Sequence, residues 1–236
     1  MIVSNVKERP IVLTAQEVNA VLADHKTQYR VPVLTSEQVK DGFEWSMGGS
    51  GGDNAIFIKG VDIERSELLV KPCTLGAIGD GLWVQEEHRP IGWLLDDGEV
   101  IIEYRDGYST SYNYLTEEEL EINPNDDYPL AVIDELLARK IPINKHTERF
   151  DFSDSENLPH WRSADAMPRF ASRLLLEITD IRIERVQDIK LGDSIKEACT
   201  GLMDFATDYW MPKFGEAAWF TDPWVWVIEF KVIKGS

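Results

Sequence analysis

The chain has 236 residues, of which 43% are hydrophobic and 28% charged, enough for a globular core that needs no disulfide or metal staple. Its formal net charge of −18 excludes loose, counterion-driven attachment to long nucleic acid, which needs a surplus of Lys and Arg, but leaves room for a local basic pocket that takes one nucleotide. The same charge admits two further uses: solubility from spread Asp and Glu, or an acidic face that imitates DNA and occupies a nucleic-acid-binding host protein.

No apolar run approaches the roughly 20 residues of a membrane span, and MIVSNVKERP carries no signal-peptide core, so a cytoplasmic protein with no membrane partner is expected. Cys73 and Cys199 stand in no metal-ligand spacing, and His25, His88, His146 and His160 lie far apart. Reduced thiols, no zinc and no cofactor are the expectation.

In chain order, residues 11–13 read as a short strand. Thr14 to Glu17 then form a capping box, opening a helix of about three turns with Val18, Val21, Leu22 and His25 on one face. Lys26, Thr27, Gln28, Tyr29 and Arg30 follow as a polar but β-compatible run. Residues 35–66 read as an insertion whose Gly48 to Asp53 run is a hairpin tip, because it lacks the order of a phosphate-binding loop. Residues 68–73 look turn-rich. Gly79 and Asp80 make a tight turn into a strand at 82–84. A second insertion, residues 91–158, opens with a meander turning at Asp97-Gly98 and Asp106-Gly107. Its second half holds a capping box at Thr116 to Glu119, an amphipathic helix through Leu130, Ile133, Leu136 and Leu137, and a polar surface loop over 139–160.

The chain's organising stretch is residues 161–189. Leu174, Leu176 and Ile178 alternate on even positions, whereas Ile181 and Ile183 continue on odd ones. A one-residue slip exchanges the faces of a sheet, so the pattern predicts one long strand with a bulge near Thr179 and Asp180. Such a bent strand suits a small closed or half-closed barrel. A helix from Gly192 is expected to carry Ile195, Ala198, Cys199 and Leu202 on one face, and the aromatic-rich 205–214 segment suits a second. Residues 223–232 read as a core strand with Trp224, Trp226, Ile228, Phe230 and Val232 inward.

These blocks together, namely the capped helix, Lys26 to Arg30, Gly79-Asp80 with Leu82, Trp83 and Val84, the Met167 to Arg173 run with its long strand, and residues 224–230, resemble the ASCH-domain proteins of the PUA-like superfamily. The larger phage and prophage members are the most similar. The resemblance implies an α+β fold: a single domain over 1–236 with a small β-barrel, flanking helices, and a cleft that relatives use for RNA or modified nucleosides. One branch hydrolyses the acetyl amide of acetylcytidine with a lysine, a threonine and a glutamate. Lys26 matches the lysine and Glu197 is the candidate glutamate, but Tyr29 stands where the threonine belongs, and Thr27 is displaced from it by about 6–7 Å along a strand.

Read by their own chemistry, Lys26 and Glu197 could pair as a tuned base or as a plain ion pair tying a helix to the barrel. Glu86 is a third carboxylate that could face the same cleft or water. Arg162, Arg169 and Arg173 concentrate positive charge, for a phosphate clamp or for salt bridges to acids such as Asp165. Arg30 is a further ligand-binding candidate, and Tyr29 and Trp83 could stack a base or belong to the core. The implied functions are therefore RNA or modified-nucleotide binding, an amidohydrolase acting on an acylated nucleoside, or acidic mimicry.

Overall fold

The structure, a computed structural model, describes residues 6–34, 38, 41, 43–48, 54–59, 67–94, 99–113, 128–145 and 149–235. The fold is α+β with several separate sheets, none closed into a barrel among the described residues. It comprises two compact units: residues 1–10, 20–82 and 174–236 form unit 1, and residues 11–19 and 83–173 form unit 2. Among the described residues no helix is long and apolar enough to cross a membrane.

A five-stranded sheet runs in the order β1 (Glu8–Val12), β6 (Gly81–Gln85), β12 (Leu175–Arg185), β13 (Trp224–Lys234), β2 (Gln28–Pro32), and its last three strands lie wholly in unit 1. The expected slip in β12 is present: Ile178 pairs with Phe230 and Asp180 with Glu229, leaving Thr179 as the extra residue. Leu176 and Ile178 are buried before it and Ile181 after it, so the bulge keeps an apolar side chain inward across the change of parity. β13 lies between β12 and β2 and is covered on both faces. Val225 and Val227 are as buried as Trp226 and Ile228, while Val232 is exposed, so the expected one-faced pattern is corrected at both ends.

The first helix, α1 (Ala15–Leu22), opens with the expected capping box: the Thr14 amide donates to Glu17 Oε2 at 2.9 Å and the Glu17 amide to Thr14 Oγ1 at 3.2 Å. Val18 and Val21 are buried, but Leu22 and His25 are exposed, because the helix stops at Leu22 and Asp24 turns left-handed at φ +58°. A second, three-stranded sheet pairs β3 (Glu44–Gly48), β4 (Asn54–Lys59) and β5 (Glu67–Pro72). The supposedly turn-rich 68–73 run is thus mostly strand, paired residue for residue with β4. The expected glycine-rich tip at 49–53 lies outside the described residues.

After β12 the chain makes a 3-10 turn, Val186–Asp188, and enters a short helix, α2 (Leu191–Lys196). Ile195 and Leu202 are exposed, and Ser194 and Glu197 are buried instead: Ala198, at φ +67°, ends the helix before a second apolar turn can form. Residues 205–210 are a π-helix, Phe205–Trp210, continuing into an α-helical turn, Met211–Phe214. Phe205 and Trp210 from it pack with Val186, Ile189, Val225 and Val227.

Unit 2 contains the expected meander, β7 (His88–Leu94), β8 (Glu99–Tyr104) and β9 (Ser109–Asn113). The Asp106-Gly107 turn is built as read: Gly107 sits at φ +85° and the Tyr108 amide donates to Asp106 Oδ1. The Asp97-Gly98 turn and the Thr116 to Glu119 box lie outside the described residues. Helix α3 (Tyr128–Ala138) buries Tyr128, Val132 and Leu136 against Val100, Ile102 and Phe170. Leu130 and Leu137 are exposed, so the buried stripe is rotated from the expected one. The 139–160 loop holds a two-residue hairpin, Ile143–Asn144 with Arg149–Phe150, and a 3-10 turn capped by Asp154.

Candidate functional site

In unit 1 the segment entering β2 crosses the end of α2 as an isolated antiparallel bridge between Lys26 and Glu197. The Thr27 amide donates to the Lys196 carbonyl at 2.9 Å, and the Thr27 carbonyl accepts from the Phe230 amide at 3.0 Å. This backbone lock brings the two charged side chains together: Lys26 Nζ lies 2.8 Å from Glu197 Oε2, and both side chains have no exposed surface. Arg30, equally buried, holds the other carboxylate oxygen, Oε1, at 3.0 Å. Lys26 Nζ donates again to the Glu197 carbonyl and to Tyr209 Oη, at 3.3 and 3.2 Å.

The cluster continues outward through polar partners. Arg30 donates to Gln28 Oε1 and Glu184 Oε2 at 3.0 and 3.3 Å, and the Gln28 amide donates to Asp193 and Glu229. Arg182 then bridges Glu184 at 2.6 Å and Glu229 at 2.8 Å. Burial works against the Arg182 charge, but Glu184 and Glu229 outweigh it and hold its pKa above the ordinary value. For Glu229 burial pushes the pKa up, and the donors Gln28 and Arg182 with the Lys196 charge overcome it, so the carboxyl titrates below the usual range. The buried charges of Lys26, Arg30 and Glu197 are thus paired, as buried ions must be, while Arg30 Nε has no hydrogen-bond partner among the described residues.

Tyr29, 8% exposed, forms one wall: the ammoniums of Lys213 and Lys26 stand 4.5 and 5.7 Å from its ring centre. Tyr209 forms another, with the same two ammoniums 5.0 and 4.6 Å away. Each ring offers its negative face to a cation.

The remaining predicted residues belong to unit 2. Glu86 is not a water-facing carboxylate: it is 1% exposed and receives a bidentate guanidinium from Arg173, Nε to Oε1 at 2.8 Å and an η-nitrogen to Oε2 at 2.7 Å. Asp106 takes the same η-nitrogen at 2.6 Å, and the rings of Tyr104 and Tyr108 lie 4.3 and 5.0 Å from the guanidinium carbon. Burial raises the Glu86 pKa and the Arg173 charge offsets this only in part, whereas on Asp106 Arg173 and the Tyr108 amide prevail over burial and lower it. Arg162 reaches Glu135 at 3.0 Å, with its guanidinium 5.4 Å from the Tyr128 ring, and Arg169 lies 5.8 Å from the ring of half-buried Trp83. Arg162 and Arg173 are thus committed to Glu135, Glu86 and Asp106 rather than converging as a phosphate clamp. No bridge from these arginines to Asp165 is found among the described residues.

Sequence reasoning missed Tyr209, Lys213, Gln28 and His88. Tyr209 and Lys213 stand four residues apart, the spacing of one helical face, which was the available signal. His88 is fully buried: its Nδ1 lies 3.0 Å from the Glu86 carbonyl, so that nitrogen carries the proton, while Nε2 has no hydrogen-bond partner among the described residues. Burial, with the nearby Arg162 charge, pushes its pKa down to about 4. Comparison with family models, curated proteins and solved structures finds no match to this chain.

Proposed function

We propose that unit 1 is a PUA-like module of the ASCH type that binds a nucleotide or modified nucleoside, free or within RNA, beside Lys26, Glu197 and Tyr29. One observation carries the reading. The lysine and the glutamate that the resemblance singles out, 171 positions apart, meet in a buried ion pair. A ligand's polar edge would find there charged groups already oriented and desolvated, which is what makes recognition inexpensive in reorganisation. The bent β12 strand supports the PUA-like reading of the sheet.

Amide hydrolysis on an acylated nucleoside is a second reading. It is favoured by the same pair together with Tyr29, at the position of the family's nucleophile, whose ring faces two ammoniums. An ion pair of purely structural purpose is the competing account, and acidic mimicry of nucleic acid is the function left if no ligand binds.

The test is a panel of acylated and unmodified nucleosides and nucleotides, read by equilibrium binding and by mass analysis of products. Saturable binding to one class is expected, and its loss in the K26M/E197Q double variant, which removes both buried charges together and leaves neither alone. Release of free acid and amine would select the hydrolase. Full binding in a folded double variant, or no binding to any member of the panel, sinks the proposal.

A further inference from the structure

The three-stranded sheet of unit 1 ends in a strand that is paired on one side. β5 runs residue for residue against β4, and among the described residues no strand lies along its other edge. Alternate residues of an antiparallel strand turn their N–H and C=O groups away from the partner, so that edge carries a row of donors and acceptors. The two faces of β5 differ. Leu69 and Lys71 lie opposite Phe57 and Ala55 of β4, which are fully buried. The other face holds Leu68 and Val70, 65% and 57% exposed, beside half-buried Ile58 and Ile56. Apolar side chains left in water on a sheet edge mark a place where another strand adds.

Lysine and proline ordinarily blunt such an edge, and β5 ends in both, Lys71 and Pro72. They occupy only its last two positions, and Lys71 is balanced by Glu67 at the start of the strand. Glu67 and Lys71 share a face but stand four residues apart, about 13 Å along a strand, so they cannot reach each other within one chain. Neither has an ion-pair partner among the described residues. The run Glu67-Leu68-Leu69-Val70-Lys71 is complementary to its own reversal: about Leu69, glutamate mirrors lysine and leucine mirrors valine.

We propose that β5 is a dimerisation edge, on which a second copy of this chain docks its own β5 antiparallel and joins two three-stranded sheets into one of six strands. The two-fold axis passes at Leu69, which faces the partner's Leu69. Leu68 then faces Val70 of the partner subunit and Glu67 faces Lys71 of the partner subunit, each pair occurring twice, as an isologous interface requires. Opposite charges and apolar pairs directly across a ladder favour pairing, and like charges oppose it. Charge therefore selects both direction and register. Parallel strands in register would set glutamate beside glutamate and lysine beside lysine, and any slip of the antiparallel register separates both ion pairs.

The test is sedimentation equilibrium of the full chain over a concentration series, read as the appearance of twice the 26.9 kDa chain mass. It is run at about 0.15 M ionic strength, which screens the −18 charge of each copy beyond about 8 Å. One short strand from each copy makes an interface below the ~1,200 Å² of standard complexes, so a reversible dimer half-formed at roughly 10–100 µM is expected. E67K sets lysine against lysine and K71E sets glutamate against glutamate, and each alone should associate at least about tenfold more weakly. An equimolar mixture of the two, and the double variant E67K/K71E, should regain the parent's association. Should a swapped protein fail to fold, L69C decides. Oxidation should link it to its copy, because residues facing one another across a ladder lie within disulfide reach, and should not link L68C, whose copies are offset by two residues. A parent that stays monomeric up to about 1 mM overturns the proposal. So does a dimer indifferent to both swaps, a mixture that does not recover, or an L69C that stays unlinked.

Discussion

The two units each bury a glutamate beside an arginine, and they do it differently. In unit 2, Arg173 gives Nε and one η-nitrogen to Glu86 and the same η-nitrogen to Asp106, and two tyrosine rings lie beside its guanidinium. In unit 1, Glu197 is held by two cations, and the chain of partners runs on to half-buried Tyr209 and Lys213. A cluster whose glutamate and arginine are both buried and paired with each other serves the fold. One that ends in half-buried donors and acceptors can still gain a partner.

The contrast makes its largest prediction at Arg173. R173M leaves Glu86 buried without its bidentate partner and should destabilise the protein by about 3–5 kcal/mol, read by chemical denaturation at neutral pH. K26M should cost less, about 1.5–3 kcal/mol, because Glu197 keeps Arg30. The Arg173 penalty is also expected to shrink on acidification. A carboxyl whose folded pKa is already raised by burial is protonated early, and a neutral Glu86 no longer needs its cation. Equal costs for the two variants, or a penalty that ignores pH, would remove the distinction between a glutamate held by one cation and a glutamate held by two.

His88 supplies the next effect and sharpens the account of unit 2. Its folded pKa is lowered from 6.5 to about 4 by burial, so the folded state binds fewer protons than the unfolded chain between those values. Stability should therefore be fully present above about pH 6.5 and be lost as the pH falls toward 4, by roughly 3 kcal/mol if the whole shift is realised. In H88Q this part of the pH slope should disappear from denaturation curves. A slope unchanged by the substitution would assign acid sensitivity to other groups, such as Asp106 and Asp80, whose lowered pKa values place their contribution further into acid.

What could be read in advance follows the same division between local and shared causes. The bulge at Thr179 was legible because strand parity records which side chains face inward, and the capping box because its two hydrogen bonds close within four residues. Helix faces were not. Helix α3 has Leu130, Ile133 and Leu137 as well as Tyr128, Val132 and Leu136, so its periodicity offers two apolar stripes, and only Val100, Ile102 and Phe170 decide between them. The pairing of Lys26 with Glu197 was legible through resemblance and not through spacing, since 171 positions separate them. Tyr209 was hidden by its own local structure: an aromatic run ending in a proline reads as an interrupted helix, and the π-helical turn that aims the phenol at Lys26 leaves no period of its own. Glu86 was left between the cleft and water because nothing local to it reveals Arg173, 87 positions further along the chain.

The smallest effect tests whether burial, rather than pairing as such, sets the scale of all the others. Glu87 and Arg105 form a salt bridge of 2.7 Å, as short as that between Glu86 and Arg173, but their side chains are 52% and 42% exposed. Distance alone would rank the two pairs as equals. Water around an open pair screens the attraction and rehydrates either ion once the other is gone, so E87Q should cost no more than about 0–1 kcal/mol. Arg105 also stacks on Trp161, with the guanidinium carbon 4.0 Å from the ring centre, and that contact survives in E87Q. R105Q should accordingly exceed E87Q by about 0.5–1 kcal/mol, the worth of an exposed cation–π contact. A loss in E87Q approaching that of R173M would mean that pairing geometry governs both, and a half-open site such as Tyr209 with Lys213 would then carry the same energetic weight as the buried ions behind it.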